Sequence, residues 1–142
     1  SRVAALDFPV LQLHGRETPA RVAEIKAKTG AGVWKAAGIS TRDDLEALKA
    51  YEAADRFLLD ARPPVGADRP GGHGIRFDPA VLAGWTSDRP WLLAGGLTPE
   101  TVAAAIAATG APAVDVSSGV ESRPGLKDAA RIKAFLNAAR AA

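Results

Sequence analysis

The chain alternates short apolar runs with helical patterns five times over its 142 residues, and this alternation is the feature that most limits its possible folds. The apolar runs have strand length and fall at residues 10–14, 33–36, 57–60, 91–94 and 113–116. Helix-start signals follow them, such as Thr18-Pro19 and the Thr41/Asp44 pair. The later helices are expected over about 79–85, directly after Gly96, and over about 127–141. Strict alternation of strands and helices implies a parallel sheet with right-handed crossovers. The sequence therefore predicts one α/β domain over residues 1–142.

Two architectures of this class remain open from the pattern alone. A doubly wound sheet of five strands has the right number of units, but the chain lacks an early G-x-G-x-x-G loop after its first strand. A (βα)8 barrel normally needs roughly 200–250 residues, so the chain would be about five-eighths of one. Polar side chains near the strand ends favour sites around a common barrel mouth: His14, Lys35, Asp60 and Asp115. Lys35 is expected to reach that mouth or to pair with a carboxylate, and a Schiff-base role is the less favoured alternative.

The composition excludes several classes of site and partner. Cysteine is absent, which excludes a disulfide scaffold, a thiolate metal site and a cysteine nucleophile within these residues, and is compatible with the cytoplasmic location that we predict. The two histidines, His14 and His73, are too few for a metal site, so we expect no metal and no cofactor. The net charge is only +2 and no basic cluster is interleaved with aromatic residues, so we expect no nucleic-acid partner. No apolar run approaches the roughly 18 residues of a membrane span, so we expect no membrane partner.

Two consecutive strand ends carry small residues where a ligand could approach the backbone. Backbone N–H groups come close to a ligand only where side chains do not block them, and helix N-termini offer further free donors. In (βα)8 barrels the loops after the last two strands often bind phosphate. The sequence therefore predicts a phosphate site at Gly95, Gly96, Ser117, Ser118 and Gly119. The alternative is that these glycines only form tight turns.

Strand periodicity shows which polar candidates share a face within each strand. Side chains alternate along a strand, so Gln12 and His14 share a face, and Asp115 and Ser117 share another. Asp60 ends an apolar strand, where a carboxylate can act as an acid. Each side chain also has a structural alternative: Asp60 as a cap, Asp115 as a carboxylate satisfied by N–H groups, and His14 as a group that only fixes the strand end.

Four segments together resemble the phosphoribosylanthranilate isomerase family. They are LQLHG (11–15), LLDA (58–61), GGHGIRFD (71–78), and LAGGLTPETVAAAI (93–106) running on to VDVSSGVESRPGLKD (114–128), and they stand in the family's order. The resemblance implies a (βα)8 TIM barrel of the ribose-phosphate-binding type. Only about strands 4–8 would be represented in this chain, as a partial barrel without the first three βα units. We expect its open strand edges to be covered by those units or by a second copy in a homo-oligomer.

The resemblance also implies a reaction. The family isomerises N-(5-phosphoribosyl)anthranilate to 1-(2-carboxyphenylamino)-1-deoxyribulose 5-phosphate, an Amadori rearrangement in tryptophan biosynthesis. Asp60 would be the general acid that opens the ribose ring, His14 and Asp115 would contact the substrate, and the glycine turns would hold the phosphate. The family's base is a cysteine on the first strand, and an arginine after the second strand helps to hold the anthranilate. Neither has a counterpart in this chain, so we predict that the chain alone is inactive.

Two alternatives to this isomerase are kept. One is another ribose-phosphate barrel enzyme, such as indole-glycerol-phosphate or thiamin-phosphate synthase. Those enzymes share glycine-rich phosphate loops, but LLD and VDVSSGVE are not expected together in them. The other is a non-catalytic phosphate-binding barrel fragment.

Overall fold

The computed structural model describes residues 7–61 and 78–142, which form an α/β fold. The strands are β1 (Val10–Leu13), β2 (Gly32–Ile39), β3 (Arg56–Ala61), β4 (Trp91–Ala94), β5 (Glu121–Arg123) and β6 (Leu126–Lys127). The α-helices are α1 (Pro19–Thr29), α2 (Arg42–Ala47), α3 (Val102–Thr109) and α4 (Ala129–Arg140), with 3-10 helices at Leu48–Ala50, Pro79–Leu82 and Ser118–Val120. None of the helices in the described ranges is long and apolar enough to cross a membrane. The glycine-rich segment 71–74, including His73, lies outside the described residues.

Within residues 7–61 and 78–142, the main sheet contains four parallel strands in the order β1-β2-β3-β4, which is also their order in the chain. A parallel bridge between Leu93 and Val114 continues this order beyond β4. A doubly wound sheet must reverse its strand order at a switch point, and the described strands contain no reversal. The sheet is therefore wound in one direction, as in a barrel.

The predicted helix boundaries are confirmed where a local cap defines them. The Thr18 hydroxyl accepts a hydrogen bond from the Arg21 N–H at 3.2 Å, and Pro19 occupies the first turn of α1. Gly30 ends α1 in the left-handed conformation, with φ at 68°. At the start of α2, Thr41 and Asp44 form the predicted capping box.

Three predicted boundaries in the second half of the chain are wrong. The strand expected over 113–116 is reduced to a bridge, because this edge segment exchanges hydrogen bonds only with Leu93 among the described residues. The helix expected directly after Gly96 begins at Val102, beyond a turn at 98–101. The helix expected over 79–85 is a 3-10 helix that ends at Leu82.

A short antiparallel hairpin occupies the segment that was expected to lead directly into the last helix. β5 pairs with β6, and Gly125, with φ at 79°, lies in the turn between them. Lys127 therefore belongs to β6 and not to the last helix. Helix α4 begins two residues later, after the Asp128 carboxylate accepts a hydrogen bond from the Arg131 N–H at 2.9 Å.

The two faces of the sheet are packed differently. The helix-facing side forms the main hydrophobic core, which includes fully buried Val33, Leu59 and Leu93. Alternation then sends the intervening side chains to the opposite, inner side, where Ala36, Leu58 and Ala94 form a separate small cluster. These inner residues are mostly small, so the inner side leaves space above them at the carboxyl ends of the strands.

Candidate active site

A cavity of about 320 Å³ opens at the carboxyl ends of the parallel strands. Its floor is the inner apolar cluster of Ala36, Leu58 and Ala94. All eight predicted site residues line it: His14, Asp60, Gly95, Gly96, Asp115, Ser117, Ser118 and Gly119. Residues separated by about a hundred positions in the chain are thus brought into one pocket whose size suits a small phosphorylated ligand.

Asp60 lies on the inner face of β3, above Leu58. Its register partners are Gly38 on β2 and Ala94 on β4, so neither neighbouring strand places a large side chain beside the carboxylate. A Cβ atom added to Gly95 would lie 3.0 Å from Asp60 Oδ1. The half-buried carboxylate is therefore next to the first of the two predicted phosphate turns.

His14 follows β1 and is exposed at the rim of the cavity, with Gln12 below it on the same side. The turn after His14 is held from beneath by Lys35. The Lys35 Nζ donates to Gly15 O at 3.0 Å and to Glu17 Oε2 at 3.1 Å. The Glu17 carboxylate also accepts from the Gly15 N–H, at 3.1 Å. The position of His14 thus depends on an ion pair under the turn that carries it.

Lys35 does not reach the mouth, and its expected placement there is wrong. The residue is only 4% exposed and shares the helix-facing side of β2 with Val33, because the two positions differ by two. The other interpretation, pairing with a carboxylate, is confirmed by the contact with Glu17. Burial raises the pKa of Glu17, but its hydrogen bonds to backbone N–H groups and to Lys35 outweigh burial and lower that pKa below its ordinary value.

The loop after β4 requires glycine for its backbone shape. Gly95 and Gly96 have φ angles of 98° and 63°, in the region that side chains disfavour. A Cβ on Gly95 would also lie 2.3 Å from Ala61 O. Glycine is therefore required here for folding. The tight-turn interpretation and the ligand-binding interpretation are compatible with each other.

The turn at Ser117–Gly119 packs directly on that loop. A Cβ atom on Gly119 would lie 1.8 Å from Leu97 O, so only glycine allows the two loops to touch. The N–H groups of Ser118 and Gly119 donate to no acceptor among residues 7–61 and 78–142, although both residues line the cavity. These are loop donors and not the end of a long helix, because the 3-10 segment there has three residues and α3 starts well after Gly96.

Asp115 is exposed and lines the same cavity. It lies two residues before Ser117, which also lines the cavity. Its N–H donates to Leu93 O at 2.8 Å, which fixes the backbone while leaving the side chain directed to the cavity. Within the described parts of the chain, no three His, Asp or Glu side chains are grouped closely enough to hold a metal ion.

A family model described as N-(5'-phosphoribosyl)anthranilate (PRA) isomerase matches residues 1–138. The chain belongs to the phosphoribosylanthranilate isomerase family. The N-(5'-phosphoribosyl)anthranilate isomerase of Hyphomonas neptunium is 62% identical over 139 residues, which are 98% of this chain and 66% of the relative. The chain therefore spans about two thirds of the length of such relatives.

Solved isomerases of this family have the same fold. The crystal structure from Thermotoga maritima gives a TM-score of 0.80 at 35% identity and covers 99% of this chain and 66% of that one. A phosphoribosyl anthranilate isomerase solved with reduced 1-(o-carboxyphenylamino)-1-deoxyribulose 5-phosphate gives a TM-score of 0.78 at 34% identity, with 99% and 64% covered. The fold is thus of the TIM-barrel-like α/β type of the phosphoribosylanthranilate isomerases.

Sequence patterns missed two basic residues behind the second turn of this family member. The Lys127 Nζ donates to Ser117 O at 2.9 Å, and the Arg131 Nη2 donates to Gly119 O at 3.0 Å. Neither side chain belongs to the cavity lining of the described residues. Their contact with the turn depends on the β5–β6 hairpin, which no local signal in the sequence predicted.

Proposed function

We propose that the protein is an N-(5-phosphoribosyl)anthranilate isomerase that carries out the Amadori rearrangement of its substrate in tryptophan biosynthesis. Membership of the family supports this function. The observation that carries it is the single cavity that joins the Asp60 carboxylate to two glycine turns. The cavity thus offers a proton donor and a phosphate site to one small molecule. A relative solved with a reduced form of the reaction product supports the same ligand class.

In this proposal, Asp60 is the general acid. It donates a proton to the ribose ring oxygen as the ring opens, and a base then removes the proton from C2. The carboxyl group of Asp60 lies above the apolar floor of the cavity, where it can reach a bound ligand. His14 and Asp115 would contact the ribose hydroxyls or the anthranilate from the two sides of the cavity. General acid–base groups typically contribute about 10²–10⁴-fold each.

The phosphate group would lie between Gly95-Gly96 and the Ser117–Gly119 turn. The N–H groups of Ser118 and Gly119, which have no acceptor within the described part of the chain, support this placement, since phosphate binds well to backbone donors in a concave turn. The close packing of Gly119 on Leu97 O brings both turns to the same ligand.

We further propose that residues 1–142 form a single domain that corresponds to strands 4–8 of the family barrel, as the coverage of about two thirds supports. No cysteine occurs among these residues, so the family's cysteine base has no counterpart here. A polypeptide of these residues alone is therefore expected to show no turnover. The open edges of the sheet would be covered by the other barrel units or by a second copy.

The experiment is the Asp60→Asn substitution in the intact protein, assayed with N-(5-phosphoribosyl)anthranilate. We expect kcat to fall about 10²–10⁴-fold, while the affinity for the product analogue stays within about tenfold. Asp88→Asn is the matched control, since Asp88 is 80% exposed and outside the cavity.

Full activity in Asp60→Asn would remove Asp60 from the acid role. A wild-type protein that binds the analogue but does not isomerise the substrate would favour the non-catalytic alternative over the enzyme.

A further inference from the structure

The three carbonyl groups of the Ser117–Gly119 turn all have partners. Ser117 O accepts from the Lys127 Nζ at 2.9 Å and from the Val120 N–H at 3.3 Å. Ser118 O accepts from the N–H of Glu121. Gly119 O accepts two hydrogen bonds from Arg131, at 3.2 Å from Nε and 3.0 Å from Nη2. Two cations therefore hold the first and last carbonyl groups of the turn.

These bonds determine where the N–H groups of the turn point. Across a trans, planar peptide the C=O and the following N–H point in opposite directions, and the described residues contain no cis peptide. Lys127 on Ser117 O therefore directs the Ser118 N–H away from Lys127. The Glu121 N–H on Ser118 O does the same for the Gly119 N–H. Both residues line the cavity, and their N–H groups have no acceptor among residues 7–61 and 78–142, so we infer that these donors are directed toward the cavity.

Both cations are themselves held in place. The Lys127 Nζ also donates to Ser117 Oγ at 3.1 Å and to Glu121 Oε1 at 2.7 Å. Arg131 lies in the first turn of α4, directly after its Asp128 cap, and its Nη2 is 3.5 Å from Glu100 Oε2. Each side chain is held at the backbone and again at its charged group by these contacts. It therefore keeps a defined geometry, whereas a mobile surface cation does not.

We propose that Lys127 and Arg131 are positioning residues for the phosphate group of the substrate. They act through the peptide groups of the Ser117–Gly119 turn, and the assignment rests on the proposed phosphate site of this cavity. A cation on a carbonyl oxygen also polarises the peptide, which strengthens the N–H on its far side as a donor. Lys127 acts on the peptide that carries the Ser118 N–H. Arg131 acts one step further away, because the N–H of the peptide that it holds is that of Val120, which donates to Ser117 O at 3.3 Å, and its two hydrogen bonds to Gly119 O fix that link.

The experiment measures the binding of inorganic phosphate to the intact protein by calorimetry, together with steady-state kinetics. We expect Arg131→Met and Lys127→Met each to weaken phosphate roughly tenfold and to raise KM by a similar factor, with kcat within about twofold. A raised KM with an unchanged kcat indicates the loss of an interaction that is equally strong in the bound substrate and in the transition state. We expect this pattern because the phosphate lies away from the reacting carbons. Simple destabilisation would instead reduce the active fraction and leave KM unchanged.

Arg131→Lys separates positioning from charge. Lysine keeps the positive charge but not the planar pair of donors, so we expect it to recover little of the lost affinity. Lys133→Met is the matched control on the same helix, since Lys133 is exposed and makes no contact with the turn among the described residues. It should bind phosphate as the wild type does.

Two results overturn the assignment while leaving the proposed phosphate site in place. Wild-type affinity in both Arg131→Met and Lys127→Met would show that the turn keeps its geometry without the cations. Full recovery of phosphate affinity in Arg131→Lys would show that a positive charge near the turn is sufficient for binding, without the two hydrogen bonds to Gly119 O. A wild-type protein that binds no phosphate overturns the proposed phosphate site itself, and the assignment with it, which distinguishes the two failures.

Discussion

The first and last turns at the rim of the cavity are both held by cations bound to backbone carbonyl groups, but at very different depths. Lys35, under the turn after β1, is 4% exposed and its Nζ binds Gly15 O, Ala36 O and Glu17. Lys127 and Arg131, behind the Ser117–Gly119 turn, have side chains 46% and 37% exposed. The contact between a cation and a backbone carbonyl group is therefore buried in the core near the start of the chain and exposed at the surface near its end.

The difference in depth separates stability from ligand binding. A buried charge must keep all its partners, because removing one leaves the others desolvated and unpaired. Water replaces an exposed cation at little cost in stability. The main effect of removing it is therefore on the backbone groups that the cation orients. We therefore expect the first turn to depend on its cation for folding, and the last turn to depend on its cations for phosphate.

The largest effect is expected at the buried cation. Lys35→Met leaves Glu17 and the carbonyl group of Gly15 without their partner, and we expect the free energy of unfolding to fall by about 3 kcal/mol. Urea denaturation of the intact protein measures it. The control is Lys49→Met, since Lys49 is 72% exposed and, among the described residues, pairs only with Glu46. A loss below about 1 kcal/mol would mean that water replaces the lysine, and the contrast between the turns would disappear.

Gly119→Ala is expected to have the next largest effect, and it acts on the last turn. Its Cβ would meet Leu97 O at 1.8 Å, so one of the two loops must move. We expect a loss of about 1–3 kcal/mol in stability, as for other overpacked sites, together with weaker phosphate binding. Gly125→Ala is the control: nothing lies within 4 Å of its Cβ position, so only the strain at its φ of 79° remains. Equal results from both variants would argue against a tight contact between the loops.

The pH dependence of stability compares the carboxylate partners of the two turns. The Lys35 contact contributes to a lowered pKa at Glu17 despite burial, and the Lys127 hydrogen bond lowers the pKa of Glu121. A lowered folded-state pKa gives stability that is complete above the ordinary value of 4.5 and is lost as pH falls through the folded value. We therefore expect Glu17→Gln and Glu121→Gln each to flatten the loss of stability below that pH.

Salt should distinguish these two carboxylates. The Glu17 contribution should persist at an ionic strength of about 1 M, where the Debye length is about 3 Å, because its partner is buried. The Glu121 contribution should shrink, because Lys127 is half exposed. The same salt dependence for both variants in acid unfolding curves would contradict the difference in depth.

Much of the fold was predictable because its signals are local. The caps at Thr18 and Thr41 need only residues within one helical turn, and both are confirmed. Strand alternation needs only neighbours in sequence, and it correctly placed Gln12 and His14 on the same side of the sheet. The meeting of all eight predicted residues in one cavity follows from a general property of parallel sheets, whose carboxyl ends share one edge.

The misses required contacts that local patterns do not encode. The run at 113–116 has the pattern of a strand, but whether it forms one depends on hydrogen bonds to the neighbouring strands. Within the described chain it exchanges such bonds only with Leu93. Of the two expectations for Lys35, the pairing with a carboxylate is confirmed, but the placement at the mouth is wrong because alternation from Val33 puts the residue on the opposite side. Lys127 and Arg131 became visible only through the β5–β6 hairpin, which brings them behind a turn about ten residues earlier in the chain.

The smallest effect is expected where an exposed ion pair holds no backbone group of either turn. On α1, hydrogen bonds from Lys28 and Arg21 lower the pKa of Glu24 to about 2. The pair is solvent-exposed, so we expect Glu24→Gln to leave phosphate affinity unchanged. Any stability that the pair contributes is complete above pH 4.5 and is lost as the pH falls to about 2, so the variant should lack it above pH 4.5 and match the wild type below about 2. The difference should appear only at low salt, since a Debye length of about 8 Å screens such pairs at physiological ionic strength. Acid unfolding curves at two salt concentrations measure this. A salt-independent loss as large as that of Glu17→Gln would mean that depth is not what separates the two turns.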